Sequence, residues 1–162
     1  MSTTMTRQEQ QEFLAALHVG VLSIADKERG PLTIPLWYAY EPGGELRFVT
    51  SRNSRKGQLL RAGCRMSVCV QDEQPPYRSV TVYGTATLEP KVAGLDAEMA
   101  RHYLGGVGGR AYLQMARSAV EQGPELTIVL TPQRIVSQDF SVDTPAIGRV
   151  WLRAKRVLPP AL

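Results

Sequence analysis

Cysteine is scarce. Cys64 and Cys69 are the only two in the chain, and no Cys-x-x-Cys pair occurs. Five positions apart on one short strand, they point to opposite faces and cannot bridge each other. Cys69, inside Ser67-Val68-Cys69-Val70, reads as a small buried hydrophobe. Cys64 reads as the exposed start of a strand. Histidine is as rare: His18 and His102 stand without a carboxylate or second histidine at ligand spacing, so no metal site is expected. There is no Gly-x-Ser-x-Gly, no Cys/His constellation and no P-loop, which argues against nucleophilic hydrolysis and phosphoryl transfer. No apolar run approaches the ~18 residues of a membrane helix. Met1 to Thr6 lack the charged and apolar regions of a secretion signal, so a cytoplasmic protein is expected. Aromatic residues make up 7% of the chain. Arg47, Arg52, Arg55, Lys56, Arg61 and Arg65 cluster with only Phe48 among them, and a nucleic-acid face needs interleaved aromatics. That reading is set aside.

What is present suits one domain. The 162 residues, 43% hydrophobic and 21% charged, are enough to bury a core without disulfides or metals. Lys and Arg outnumber Asp and Glu by 19 to 15, a net charge of +4. This suits an anionic small ligand without demanding one. Thr6-Arg7-Gln8-Glu9 has the form of a capping box, and Phe13, Leu14 and Leu17 recur at helical spacing, so a helix is expected over 7–17. Three strands follow as a meander: Val19 to Ala25, Leu32 to Tyr40 and Leu46 to Thr50, with turns at Asp26 to Gly30 and Pro42-Gly43-Gly44. Ser54 caps a short helix running to about Arg61. Further strands are expected at Arg65 to Gln71, Arg78 to Leu88, Leu126 to Leu130 and Arg134 to Phe140. Gly84 inside the longest marks a bulge or a close backbone approach. Helices are expected over 94–104 and 110–121, joined by a flexible loop at Gly105 to Gly109 and stopped by Gly123-Pro124. Because it follows a helix, that glycine run is not a dinucleotide fingerprint. Neither a repeat nor a linker interrupts the chain. Residues 1–145 read as the domain and 146–162, with Pro159 and Pro160, as a tail expected to be partly disordered. The fold class is mainly β (α+β): six or seven strands closed into a barrel, which removes open edges, with a few short flanking helices.

The informative stretch is Thr50-Ser51-Arg52-Asn53-Ser54-Arg55-Lys56-Gly57. A strand ends, a polar turn follows and a helix begins. Hydroxyls, backbone N–H groups and two adjacent cations converge there, as holding a phosphate requires. Arginine offers a fork and lysine a point charge. A solvated basic turn is the plain alternative.

Val49-Thr50 followed by Ser54-Arg55-Lys56 resembles the phosphate-binding segment of the pyridoxamine 5′-phosphate oxidase-like flavin-binding split β-barrels. The order of Val19-Gly20-Val21-Leu22-Ser23, Pro35-Leu36-Trp37-Tyr38, Pro75-Pro76-Tyr77-Arg78, Val82-Tyr83-Gly84-Thr85, Arg101-His102-Tyr103-Leu104-Gly105 and Ser137-Gln138-Asp139-Phe140 resembles the actinobacterial flavin and deazaflavin oxidoreductase branch. The resemblance spans residues 8–141. It implies that Arg55 and Lys56 hold the cofactor phosphate, with Ser54 in the same turn. Val49 and Thr50 would lie along the ribityl chain or phosphate, and the strand Ile34 to Ala39, including Pro35, Leu36 and Trp37, would pass the ring with its backbone. Ser79 stands where the oxidases carry a glutamine to the flavin. The tail does not match the oxidases' substrate-binding end, so vitamin B6 oxidation is not expected. FMN is the first cofactor implied and the deazaflavin coenzyme factor 420, with its longer acidic tail, the alternative. The family also implies a homodimer with the cofactor groove between subunits.

The resulting expectation is an oxidoreductase moving hydride or electrons between the bound cofactor and a small organic substrate. No catalytic side chain is singled out, because the cofactor carries the chemistry. The alternative is a non-catalytic module for flavin, haem or another anionic ligand. Trp37 reads either as core or as a wall of the flavin site. Tyr77-Arg78 reads as a cap on a ligand pocket or as a loop packed on the barrel. Arg55 and Lys56 are taken as exposed cations that add little to the stability of the cofactor-free fold.

Overall fold

The computed structural model describes residues 3–118 and 123–141. The expected tail, 146–162, and the end of the second expected helix, 119–121, lie outside them. The elements in chain order are α1 (Arg7–Ala15), β1 (Gly20–Ile24), β2 (Leu32–Leu36), β3 (Ala39–Tyr40), β4 (Leu46–Ser51), α2 (Arg55–Leu59), β5 (Arg65–Gln71), β6 (Arg78–Pro90), α3 (Leu95–Ser118) and β7 (Glu125–Asp139). The seven strands form one antiparallel sheet in the order β2-β1-β5-β6-β7-β4-β3.

Strand alternation decides which face is inside. Leu22 stands opposite Ile34 and Val68, Val68 opposite Val82, and Val82 opposite Ile135. This row, with Leu46, Phe48, Val70, Val80, Ile128 and Leu130, fills the interior. Each fully buried large side chain contributes about 1.5–3 kcal/mol relative to exposure. The N-terminal segment closes one end with Met5, Phe13 and Leu14. Its helix starts as the sequence indicates: Thr6 Oγ1 accepts from the Glu9 N–H, and the Glu9 carboxylate accepts from the Thr6 N–H at 2.7 Å. Buried Ser137 is satisfied from the same segment, accepting from the Met5 N–H (3.1 Å) and Gln10 Nε2 (3.0 Å). The helix ends at Ala15 rather than residue 17, and α2 at Leu59 rather than Arg61.

The expected strand Leu32 to Tyr40 breaks at Trp37 and Tyr38 into β2 and β3, which lie at opposite edges of the sheet. Leu36 and Ala39 are three peptide units apart, at most about 11 Å of chain. The sheet must therefore curl until its edges meet, and the fold is a split β-barrel. Among the described residues, β3 pairs only with Leu46 and Arg47 of β4, and β2 pairs only with β1. Below the bend the two edges part, and that gap is the split.

The two strands expected at Leu126 to Leu130 and Arg134 to Phe140 are one 15-residue strand, β7, which ends at Asp139. Pro132 lacks an N–H, yet it does not end the strand. The ladder shifts by one residue, Tyr83 pairing with Arg134 and Gly84 with Pro132, which leaves Gln133 as the extra residue. Gly84 carries both features its sequence position suggested, because a Cβ there would overlap the Thr131 carbonyl oxygen. In α3 only Gly105 leaves the helix, at φ 71°, and the two halves kink there. Gly106 to Gly109 are helical, not a flexible loop, and a Cβ on Gly109 would sit 2.9 Å from the Ala100 backbone. Cys69 is half-buried on the outer face between inward Val68 and Val70, rather than in the core, and Cys64 packs against the core. Both are free thiols. No helix among the described residues is long and apolar enough to cross a membrane.

Gly84→Ala is expected to cost about 1–3 kcal/mol, since overpacking here meets backbone rather than a movable side chain. Gly30→Ala, with nothing within 4 Å of the added Cβ, should stay within about 0.5 kcal/mol of wild type. Urea unfolding of both variants checks the contrast.

Candidate functional site

The turn between β4 and α2 is pinned by its own polar groups. Ser54 Oγ donates to the Ser51 carbonyl (2.7 Å) and accepts from the Gly57 N–H (3.0 Å). Thr50 Oγ1 lies 3.1 Å from Ser54 Oγ, and the Arg52 N–H donates to the Pro124 carbonyl (2.9 Å). Gly57 sits so close beneath that a Cβ would overlap the Ser51 carbonyl oxygen. The Ser54 hydroxyl is thus committed to shaping the turn that presents the next two residues.

Those two cations differ. Arg55 Nη2 reaches Asp26 Oδ2 at 2.5 Å and Glu28 Oε2 at 3.5 Å. The Asp26 side chain is only 4% exposed. The Arg55 hydrogen bond holds its carboxyl below the usual range, and the same hydrogen bond raises the guanidinium pKa. Arg55 Nε is buried without a hydrogen-bond partner among the described residues. Arg55 is therefore not the free surface cation the sequence suggests. Lys56 has no carboxylate partner among the described residues, its ammonium stands 5.9 Å from the Phe48 ring centre, and burial lowers its pKa.

Both cations line a cavity of about 440 Å³ in the split of the barrel. Its walls are the parted strand edges, Leu32 to Trp37 on one side and Val49 to Ser51 on the other, with Asp96, Met99, Tyr112, Leu113 and Ala116 of α3 and Glu125 of β7. Of the residues named from sequence, Pro35, Leu36, Trp37, Val49, Thr50, Ser54, Arg55 and Lys56 meet here. Ser79 does not line the cavity; it lies on β6 opposite Gln71 and Gln138. Trp37 is a half-buried wall: its ring stacks on Tyr103 (5.0 Å, 7°) and meets Tyr112 at 5.0 Å. Its neighbour Tyr38 is the core residue, donating to the Leu14 carbonyl at 2.7 Å, and burial raises its pKa. Arg78 lies over the Phe13 ring and pairs with Asp72 at 2.7 Å, while Tyr77 is exposed. Arg78 packs on the barrel, and neither residue lines the cavity.

Sequence reasoning missed Asp26, which it placed in a plain turn, and every α3 lining residue. No local pattern marks them, because Asp26 meets Arg55 across 29 positions.

A family model for pyridoxamine 5′-phosphate oxidase matches residues 6–129. The chain belongs to the pyridoxamine 5′-phosphate oxidase-like family. Its fold is shared with a conserved hypothetical protein, Rv2991, from Mycobacterium tuberculosis, at 19% identity and TM-score 0.69 over 90% of this chain and 92% of that one. An FAD-binding protein from Mesorhizobium loti is similar at 21% identity and TM-score 0.58, over 84% and 94%. An F420 reductase is similar at 20% and 0.54, over 77% and 94%. None of the curated proteins matches the chain by sequence. Within this family member, the site residues fit an anionic cofactor: Ser54, Arg55 and Lys56 line one cavity, and Lys56 has no carboxylate partner among the described residues.

The two cations should behave oppositely in cofactor-free protein. Arg55→Met strands the buried Asp26 carboxylate and should lower the thermal midpoint. Lys56→Met removes a desolvated charge and should raise it. Because the folded pKa of Lys56 lies below the usual 10.5, the unfolded chain binds more protons between the two values, and wild-type stability rises with pH there. The Lys56→Met advantage should be full below the lowered pKa and shrink as pH approaches 10.5. Melting curves across that range check the sign.

Proposed function

We propose that the chain binds a flavin-type cofactor in the split of the barrel, FMN before factor 420, and serves as an oxidoreductase for a small organic substrate. The observation that carries this reading is the convergence of two parted strand edges, an aromatic wall and the Arg55–Lys56 turn on one cavity. The strand edges offer backbone N–H and C=O groups without ladder partners on the cavity side. Such groups suit the hydrogen-bonding rim of a flavin ring, and Trp37 suits its face. Lys56 and Arg55 suit the phosphate, with Val49 and Thr50 between. Bound there, the cofactor supplies hydride or electron transfer. The chain's residues orient it, exclude water and balance its charge. Free Cys64 and Cys69 suit a cytoplasmic setting.

The outer face of the sheet supports a homodimer. Pro35, Val21, Cys69, Thr81 and Val136 stand in one cross-strand row over five strands, beside exposed Tyr83. A five-strand face of this kind fits a two-fold contact. Thr81→Arg at its centre should convert a dimer mass to a monomer mass in light scattering. An unchanged dimer would place the contact elsewhere, and a wild-type monomer would remove it.

Titration of cofactor-free protein with FMN and with factor 420 should give at least one saturable curve of micromolar affinity or better. A charge-assisted contact is worth roughly 1.5–3 kcal/mol, so Lys56→Ala should weaken binding by about ten- to a hundredfold. Arg55→Lys should weaken it too, since the fork is lost while the charge stays. Calorimetry of the three proteins reads this. An absence of binding by either cofactor, or a loss below threefold in Lys56→Ala, would overturn the assignment.

A further inference from the structure

Among the described residues, the charged groups in and beside the cavity are already matched, all but one. Arg55 is held by Asp26 and Glu28. Lys91 Nζ stands 3.0 Å from Asp96 and 2.5 Å from Glu125, and the latter two carboxylates line the cavity while Lys91 does not. Glu125 stands opposite Ser51 in the β4–β7 ladder, next to the phosphate turn. Of Arg55, Lys56 and Lys91, only Lys56 has no carboxylate on it. Asp26, Glu28, Asp96 and Glu125 outnumber these cations by one. One phosphate is welcome beside Lys56. A second anionic group near Asp96 and Glu125 would meet like charge, and because both carboxylates are part-exposed salt screens that repulsion.

Resting on the cofactor reading above, we infer that the Lys91–Asp96–Glu125 cluster is a selectivity determinant: it restricts the cavity to a flavin with a single phosphate and turns away one carrying a second anionic group. Asp96 and Glu125 present negative charge to the ligand, and both hold Lys91, which does not line the cavity. Neutralising both carboxylates removes the repulsion and releases Lys91 in one step.

The test is calorimetric titration of the full chain with FMN, FAD and factor 420, in wild type, Glu125→Gln and the Asp96→Asn/Glu125→Gln pair, each first checked by a melting curve. Wild type should bind FMN at least tenfold more tightly than FAD or factor 420. In the double variant that preference should fall at least fivefold, through gains for FAD and factor 420, with the FMN affinity within about threefold. Glu125→Gln, exposed enough to leave folding intact, should shift the ratio in the same direction. Raised salt should narrow the wild-type preference. Wild-type binding of FAD or factor 420 as tight as FMN, or an unchanged ratio in both variants, overturns the selectivity role while leaving the cofactor reading in place. Failure of all three ligands to bind overturns the cofactor reading, and this inference with it.

Discussion

The bend at Trp37 and Tyr38 is the constraint on which the molecule depends. It sends one nearly continuous segment, Leu32 to Tyr40, to both edges of a seven-stranded sheet, and so obliges the sheet to close. Two phenols hold it. Tyr38 donates to the Leu14 carbonyl and anchors the bend to the N-terminal plug. Tyr103 donates to the His18 carbonyl at 2.7 Å and accepts from the Tyr38 N–H at 3.3 Å, joining α3 to the same point. A buried hydroxyl with its partner in place stabilises modestly, whereas a buried partner left alone is costly. The bend is therefore fixed from both sides.

The cavity follows from that closure. Had β2 and β3 been one straight strand, β4 would pair along its whole length and no gap would open. Because β3 covers only Leu46 and Arg47, the rest of β4 ends in a free edge, and the Ser51 to Gly57 turn projects from it. Trp37 belongs to the bend and to the wall, so the residue that changes the chain's direction also lines the ligand space.

Charge at the site is organised by burial. Arg55 has a structural duty to the nearly inaccessible Asp26. Lys56, desolvated and without a carboxylate among the described residues, is the group with most to gain from an anion. At Asp96, burial alone would raise the pKa, but the Lys91 hydrogen bond and charge more than offset it, and the carboxylate stays ionised at neutral pH. The turn is thus poised between a need for one negative charge and a surround that already holds several.

Much of this was legible in the chain itself. Runs of strand-forming residues marked β1, β4, β5 and β6, a capping box marked the start of α1, and Gly84 marked the bulge, because each is a local consequence of side-chain propensity, cap chemistry or a missing Cβ. The basic turn after β4 was legible because its hydroxyls and cations are consecutive in sequence. The bend at Trp37, the long β7 across Pro132 and the near-continuous α3 through Gly106 to Gly109 were not, since in each a tertiary contact overrides a local breaker or former. Nor were Asp26, Asp96 and Glu125. Sequence order by itself determined the strands, the caps and the cations of the turn, which depend on neighbours along the chain. The closure of the barrel, the cavity in its split and the carboxylates that set its charge were decided only by the tertiary structure, because electrostatic and packing energies depend on distance in space.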